Sequence, residues 1–228
     1  MITPKVEVRV TADGSSTLYV PELDEHYHST HGAVQEAQHV YLGAGLEPVL
    51  AGATSPVRLL EIGFGTGLNA LLTLQRSLAS PYPIRYDTIE KYPLPAPIIE
   101  ELGVERYVLN PELLEYHQQL HSATWDTLVK LTPRFALHKM AGALQETSLP
   151  ADTYHVVYFD AFAPEKQPDM WTDDVFAQLY AATAPGSVLV SYCAKGSFRR
   201  SLKAAGWLVE KIPGPPGKRE MTRARKAA

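Results

Sequence analysis

Glu61-Ile62-Gly63-Phe64-Gly65-Thr66-Gly67-Leu68-Asn69 decides the fold. The apolar run Arg58-Leu59-Leu60-Glu61-Ile62 reads as a buried strand, and Leu68 to Leu78 has helical periodicity. Three alternating glycines join them, so the chain passes from strand to helix through a turn that needs positive φ and lets a ligand approach the backbone closely. Dinucleotide folds space their glycines G-x-G-x-x-G and hold a pyrophosphate at the helix N-terminus. Here an acid precedes the first glycine by two residues and would repel that group. A carboxylate at this place suits a cationic ligand, such as the ammonium of an amino-acid moiety.

Working outward, β-turn-α units repeat. Arg85 to Glu90 is a second strand, followed by a short helix over Pro95 to Leu102. A longer helical region, Pro111 to Leu131, precedes a third strand at Phe135 to Lys139. His155 to Phe159 is a strand ending at Asp160, and Thr172 caps a helix running to about Thr183. Ser187 to Tyr192 is the next strand, and Phe198 to Ala205 a helix closed by Gly206. Trp207 to Ile212 and Glu220 to Arg223 are two last strands joined by Pro213 to Gly217. Alternation of this kind predicts an α/β fold, an open and mainly parallel sheet with helices on both faces. On the N-terminal side, Val6 to Val10 and Thr17 to Val20 form a hairpin about an Asp13-Gly14 turn. Asp24 to Leu42 is helical, with Gly43 and Gly45 placed to end it. Residues 1–57 therefore extend a core of residues 58–228, within one domain.

The chain has 228 residues, 45% hydrophobic and 20% charged, enough for a sizeable core. No apolar run approaches the roughly 20 residues of a membrane span, and Met1 to Val10 alternates charge with Val rather than showing a signal core. A cytoplasmic location is expected. The net charge of −4 hides an asymmetry: residues from Lys195 onward sum to +8 and the remainder to −12. Such a basic segment can meet a phosphate backbone. Cys193 is the sole cysteine, which excludes an internal disulfide and a multi-thiolate zinc site. His26, His28, His31 and His39 match no ligand spacing, so no metal is expected.

Glu90 ends the second strand, where an acid commonly accepts from ribose hydroxyls. With Glu61 and the glycines it points to S-adenosylmethionine, which carries an amino acid, a sulfonium and a ribose. Asp160 leaves the fourth strand into Ala161-Phe162-Ala163-Pro164-Glu165-Lys166-Gln167-Pro168-Asp169-Met170-Trp171. Ligand crevices in open α/β sheets lie off the carboxyl ends of the strands, so Asp160 should face the site. The prolines can stiffen the loop and hold Phe162 and Trp171 as platforms for a ring.

Four blocks in order, Glu61 to Asn69, Glu90-Lys91-Tyr92-Pro93-Leu94, Asp160 to Trp171 and Gly217-Lys218-Arg219-Glu220-Met221, resemble the MnmC-type methyltransferase domain. That resemblance covers about Gly32 to Met221. It implies a Rossmann-like class I methyltransferase with a seven-stranded sheet, using S-adenosylmethionine to methylate the 5-aminomethyl group of 2-thiouridine at the tRNA wobble position. By position, Glu61, Gly63, Phe64, Gly65, Thr66, Gly67 and Asn69 would hold the methionine end of the cofactor. Glu90 and Lys91 would lie at the ribose, and Gln35 and Glu36 would reach the cofactor from the opening helix. Asp160 would be catalytic, beside the methyl and the acceptor amine. Phe162, Pro164, Lys166, Met170 and Trp171 would border the uridine, with Lys218, Arg219 and Glu220 at the same mouth. An anticodon stem-loop is the implied partner, held by the basic segment, with Arg199 and Arg200 the expected phosphate contacts. The chain resembles the stand-alone form, whose aminomethyl substrate comes from a separate flavin-dependent oxidase or aminomethyl-forming machinery. One departure is Met140-Ala141-Gly142-Ala143-Leu144, where the family often has an acid for the adenine.

Two other functions fit parts of the pattern. An aminopropyltransferase of the spermidine-synthase type shares the sheet and an Asp at the fourth strand, though it would want an acidic mouth. A catalytically silent RNA-binding protein would need only the basic segment.

Overall fold

The computed structural model describes residues 5–228. The first four residues of the charged N-terminal stretch lie outside the described residues. Eight strands form the main sheet in the order β10-β11-β9-β8-β4-β5-β7-β6. Its centre is parallel: β4 (Val57–Ile62) pairs with β5 (Ile84–Glu90) and β8 (Tyr154–Phe159), β5 with β7 (Phe135–Ala141), and β8 with β9 (Thr183–Ser191). Antiparallel strands close both ends, β11 (Glu220–Arg225) and β10 (Leu208–Pro213) at one, β6 (Leu128–Thr132) at the other. The eighth strand is β6, which lies largely within the expected helical region Pro111 to Leu131. Helix α5 (Pro111–Ser122) stops at Ser122, and Leu128–Thr132 alternates exposed with more buried side chains as an edge strand does.

Strand residues alternate between two cores. Leu59, Tyr86, Leu137, Val156, Tyr158 and Val190 face one side, under α3 (Leu68–Leu78) and α5. Leu60, Ile89, Val157, Phe159 and Leu189 face the other, under α6 (Asp173–Ala182) and α7 (Gly196–Ala204). Period-two alternation with both faces apolar is what a doubly covered sheet requires.

Strands β1 (Glu7–Val10), β2 (Ser16–Val20) and β3 (Glu25–His26) make a small separate sheet. Its turn caps the next helix: Asp13 Oδ2 accepts from Gln35 N at 3.1 Å and Ser15 Oγ from Ala33 N at 3.1 Å. That helix does not start at Asp24 or end at Gly43. It begins as α1 (Ala33–Glu36), widens to i→i+5 bonding over Ala37–Leu46 and continues as α2 (Glu47–Gly52). Gly45 lies inside it because a Cβ there would stand 2.8 Å from Val190 Cγ2, so glycine here permits close helix–sheet contact rather than a stop. Wide turns of this kind often accompany functional sites, and this one carries Tyr41.

Arg199 departs from its expected role. It is buried, and its guanidinium donates to Thr222 Oγ1 at 3.0 Å, Glu220 Oε2 at 3.0 Å and the Met221 carbonyl at 3.2 Å, tying α7 to β11. Arg199→Ala is expected to lower unfolding free energy by about 1–3 kcal/mol, since it strands these partners. Chemical denaturation measures this, and an unchanged midpoint would contradict it.

Candidate active site

The carboxyl ends of β4, β5 and β8 open into one cleft of about 1170 Å³. The glycine loop forms its floor. Gly63 has φ +93° and a Cβ there would meet the Asp160 carbonyl oxygen at 2.9 Å; Gly65 has φ +49° and faces the Tyr27 ring. Both places therefore require glycine.

Asp160 faces the cleft from the end of β8. Tyr41 Oη donates to its Oδ1 at 2.5 Å and Asn69 Nδ2 to its Oδ2 at 2.9 Å. Burial pushes its carboxyl up to about 7; the Tyr41 hydrogen bond opposes this, Glu36 adds to it, and Asn69 and Lys218 pull it back. A carboxylate poised near neutrality, with lone pairs toward a cavity, can accept a proton or bind a cation.

Glu90 lines the cleft beside the loop, its Oε2 accepting from Gly65 N at 3.0 Å and its Oε1 from Tyr92 N at 2.7 Å. Lys91 is exposed at the same rim. Phe64 and Thr66 line the wall, and His121 Nε2 lies 3.0 Å from the Thr66 carbonyl, bracing the loop from α5. On the far flank the apolar side chains of Ile89, Leu144, Met170 and Val175 line the cleft beside Gln145, Asp169, Asp174 and Gln178, with no acid on the segment from Met140 to Leu144.

The other wall comes from the N-terminal sheet and two loops. Tyr27 meets Phe162 edge-on at 5.1 Å. Lys218 donates to Glu36 Oε2 at 2.8 Å and sits 4.1 Å over the Tyr192 ring, while Glu36 Oε1 accepts from Ser29 N at 3.0 Å. Lys166 joins Lys218 at the mouth.

Several expected residues stand elsewhere. Glu61 is fully buried behind the loop and does not line the cleft. Gly67 lies at the start of α3 with φ +73°, pressed by His121, also behind the lining. Gln35 is exposed outside the cleft. Pro164, Arg219 and Glu220 stand off the lining too, with Glu220 engaged by Arg199. Trp171 is no open platform: it is buried against Phe159 and Phe198, and its indole donates to the Phe162 carbonyl at 2.8 Å, holding the loop. Conversely, Tyr27, His28 and Tyr192 line the cleft and Tyr41 supports Asp160, though no local motif marks them. Burial lowers His28 to about 4, so it is a neutral wall residue. Among the described residues no group of three His, Cys, Asp or Glu could hold a metal, and no helix is long and apolar enough to cross a membrane.

The residues fit a donor of the kind the sequence suggested. A positive-φ loop leaves room for backbone contact, Glu90 lines the cleft beside that loop, apolar side chains line the far flank, and Asp160 with Asn69 offers polar atoms between.

Comparison with known proteins agrees. Residues 108–227, just over half the chain, match the family described as S-adenosyl-L-methionine-dependent methyltransferase. The chain is 36% identical over 223 residues to the tRNA 5-methylaminomethyl-2-thiouridine biosynthesis bifunctional protein MnmC of Cupriavidus metallidurans, covering 92% of this chain and 32% of that protein. It thus spans about a third of the length of the curated relatives it matches. The crystal structure of MNMC2 from Aquifex aeolicus superposes with a TM-score of 0.78 at 26% identity, covering 99% of this chain and 71% of that one. Spermidine synthase from Thermotoga maritima gives 0.57 at 12% identity over 99% and 70% of the two chains, a likeness of fold alone.

Proposed function

The chain belongs to the S-adenosyl-L-methionine-dependent methyltransferase family, and from that premise we propose that it methylates the 5-aminomethyl group of (2-thio)uridine at the tRNA wobble position, giving 5-methylaminomethyl-2-thiouridine. The observation that carries this reading is Asp160, a cleft carboxyl held near pH 7 between Tyr41 and Asn69, with Lys166 and Lys218 at the mouth. The relatives' name supports the choice of acceptor.

When bound, the cofactor supplies an electrophilic methyl group on a sulfonium whose departure needs no acid. The chain's residues do the rest. The loop at Gly63 and Gly65, with Glu90, holds the donor. Asp160 orients the acceptor amine and takes its proton; a primary alkylamine, like lysine, has an unperturbed pKa of about 10.4, and a partly dry cleft lowers it. Holding amine and methyl in line supplies much of the acceleration. Tyr27 and Phe162, in edge-on contact with each other, offer one aromatic wall against which a splayed-out base can pack.

The aminomethyl group on uridine C5 must be made first, in this reading by a flavin-dependent oxidase or other aminomethyl-forming machinery, and a tRNA substrate is consistent with a cytoplasmic enzyme. An aminopropyltransferase is disfavoured because the chain is 36% identical to an MnmC protein and only 12% identical to a spermidine synthase, with which it shares the fold alone.

The basic segment then positions the anticodon stem through residues other than Arg199. Arg200, Lys203, Lys211 and Arg219 are exposed, whereas Arg223 and Arg225 pair with Glu210 and Lys226 with Asp152. Reversing Arg200 and Lys203 to Glu should weaken tRNA binding and flatten its salt dependence by about one unit of slope per lost phosphate contact. Filter binding at several salt concentrations reads this; unchanged affinity would move the RNA to another face. The substrate test is methyl transfer to a stem-loop carrying 5-aminomethyluridine against one carrying plain uridine. Turnover is expected on the first alone, and equal transfer to both would refute the acceptor.

A further inference from the structure

A loop of alternating glycines has little of its own to hold it still. In Gly63-Phe64-Gly65-Thr66-Gly67 only Phe64 and Thr66 carry side chains, and each glycine adds backbone freedom that must be frozen before a ligand can use the loop. The Phe64 ring and the Thr66 carbonyl are both gripped from behind, by one cluster on α5, β7 and the segment that joins α5 to β6.

His121, in the last turn of α5, meets the loop at three points. Its Nε2 lies 3.0 Å from the Thr66 carbonyl oxygen, its ring is edge-on to Phe64 at 5.3 Å, and it stands where a Cβ on Gly67 would come within 2.9 Å of Nε2. A carbonyl oxygen only accepts, so Nε2 carries the hydrogen. Burial, and then the neighbouring His117 ring, lower His121 to about 3, so the imidazole is neutral at physiological pH. Behind it stands Lys139 of β7, which is 1% exposed, a costly place for a charge unless the charge has partners. Its ammonium donates to the His121 carbonyl at 2.7 Å, one of the helix-end carbonyls without an intrahelical donor, where a cation also suits the helix dipole. The same Nζ lies 4.7 Å from the centre of the Trp125 ring and 5.4 Å from that of Phe64, within cation–π range of both. Burial lowers Lys139 only to about 8, so it remains charged at neutral pH.

We propose that His121 and Lys139 are positioning residues that hold the glycine loop in its binding shape before the donor arrives, Lys139 fixing the end of α5 and the Phe64 ring and His121 fixing the Thr66 carbonyl. Neither side chain lines the cleft, so both act through the loop. The consequence for the donor rests on the proposed cofactor site; the order of the loop does not.

Amide hydrogen exchange, followed by NMR on the ligand-free protein at pH 7, reads the loop directly. Gly65 N donates to Glu90 and Gly67 N to the Phe64 carbonyl, so both amides report its opening. In His121→Leu they are expected to exchange at least about tenfold faster than in wild type, while Leu60 and Val157 in the sheet centre keep their rates. Lys139→Met, an uncharged side chain of similar length, should speed the same two amides by about threefold or more. His121→Gln can place an N–H against the Thr66 oxygen and should return them to within about threefold of wild type. Unchanged loop rates in either His121→Leu or Lys139→Met, an equal acceleration through the sheet centre, or a Gln variant as loose as the Leu one overturns the proposal. Calorimetry with S-adenosylhomocysteine adds the link to binding: affinity should fall about tenfold or more in His121→Leu and stay within about threefold in His121→Gln. A loosened loop with unchanged affinity would place the fault in the proposed donor site and not in the clamp.

Discussion

Asp160→Asn is expected to lower kcat by about 10²–10⁴-fold while S-adenosylhomocysteine still binds. An amide has the carboxyl's shape and can still accept from Tyr41, yet it cannot take a proton from the attacking amine. The remaining rate would come from alignment of amine and methyl, which the substitution leaves mostly intact. In wild type the single-turnover rate should climb as pH rises through about 7, where Asp160 becomes ionised. The amine also loses its proton with rising pH, so both effects have the same sign. In the variant the step near 7 should be gone and only the slope due to the amine should remain. Rapid-quench measurement of methyl transfer separates chemistry from tRNA release. A variant within a few fold of wild type would remove Asp160 from the proton path.

Gly63→Ala should be nearly as damaging, by another route. The residue sits at φ +93°, and its added methyl would lie 2.9 Å from the Asp160 carbonyl oxygen, a backbone atom that cannot swing aside. Positive φ in a non-glycine residue costs about 1–3 kcal/mol. The contact adds to this and pushes the loop away from Asp160. Loss of S-adenosylhomocysteine affinity by about 100-fold or more is expected, with a lower melting temperature, by calorimetry and thermal unfolding. Gly14→Ala is the control: its φ is +83°, but nothing lies within 4 Å of the added Cβ, and it does not line the cleft. Equal effects of the two substitutions on binding would show that general strain, and not the loop's apposition to Asp160, was measured.

The core of the fold was legible because its signals are local. An apolar strand, three alternating glycines and a helix at 58–78 are where the sequence placed them. The MnmC-type resemblance carried by four ordered blocks agrees with the family match and with the relatives. The errors arose where tertiary contact overrides local pattern. Gly43 and Gly45 resembled a helix stop, but close packing on Val190 accounts for Gly45. Leu128 to Thr132 follows a helix so closely that only pairing with β7 reveals a strand.

The site shows the same division. Asp160 and Glu90 sit at strand ends, where topology alone sends side chains into the crevice. Glu61 also ends a strand, but period-two alternation turns it into the helix-covered core beside Tyr86 and Thr88, and a linear motif does not display that face. Tyr41 is 119 positions from Asp160, and Lys218 is 182 from Glu36. Such partners leave no trace in spacing. Net charge is coarse for the same reason: Lys195, Lys218 and Lys226 of the +8 segment pair with Glu165, Glu36 and Asp152 outside it, and Arg199 is buried.

The most direct measurement is mass spectrometry of nucleosides from wobble-undermodified tRNA after incubation with the protein and methyl-deuterated S-adenosylmethionine. The account predicts one labelled methyl on the side-chain nitrogen of 5-aminomethyl-2-thiouridine, at least about 100-fold slower to appear with Asp160→Asn. Label on a ring atom, a ribose or another nucleoside, or none on this one despite donor binding, would contradict it.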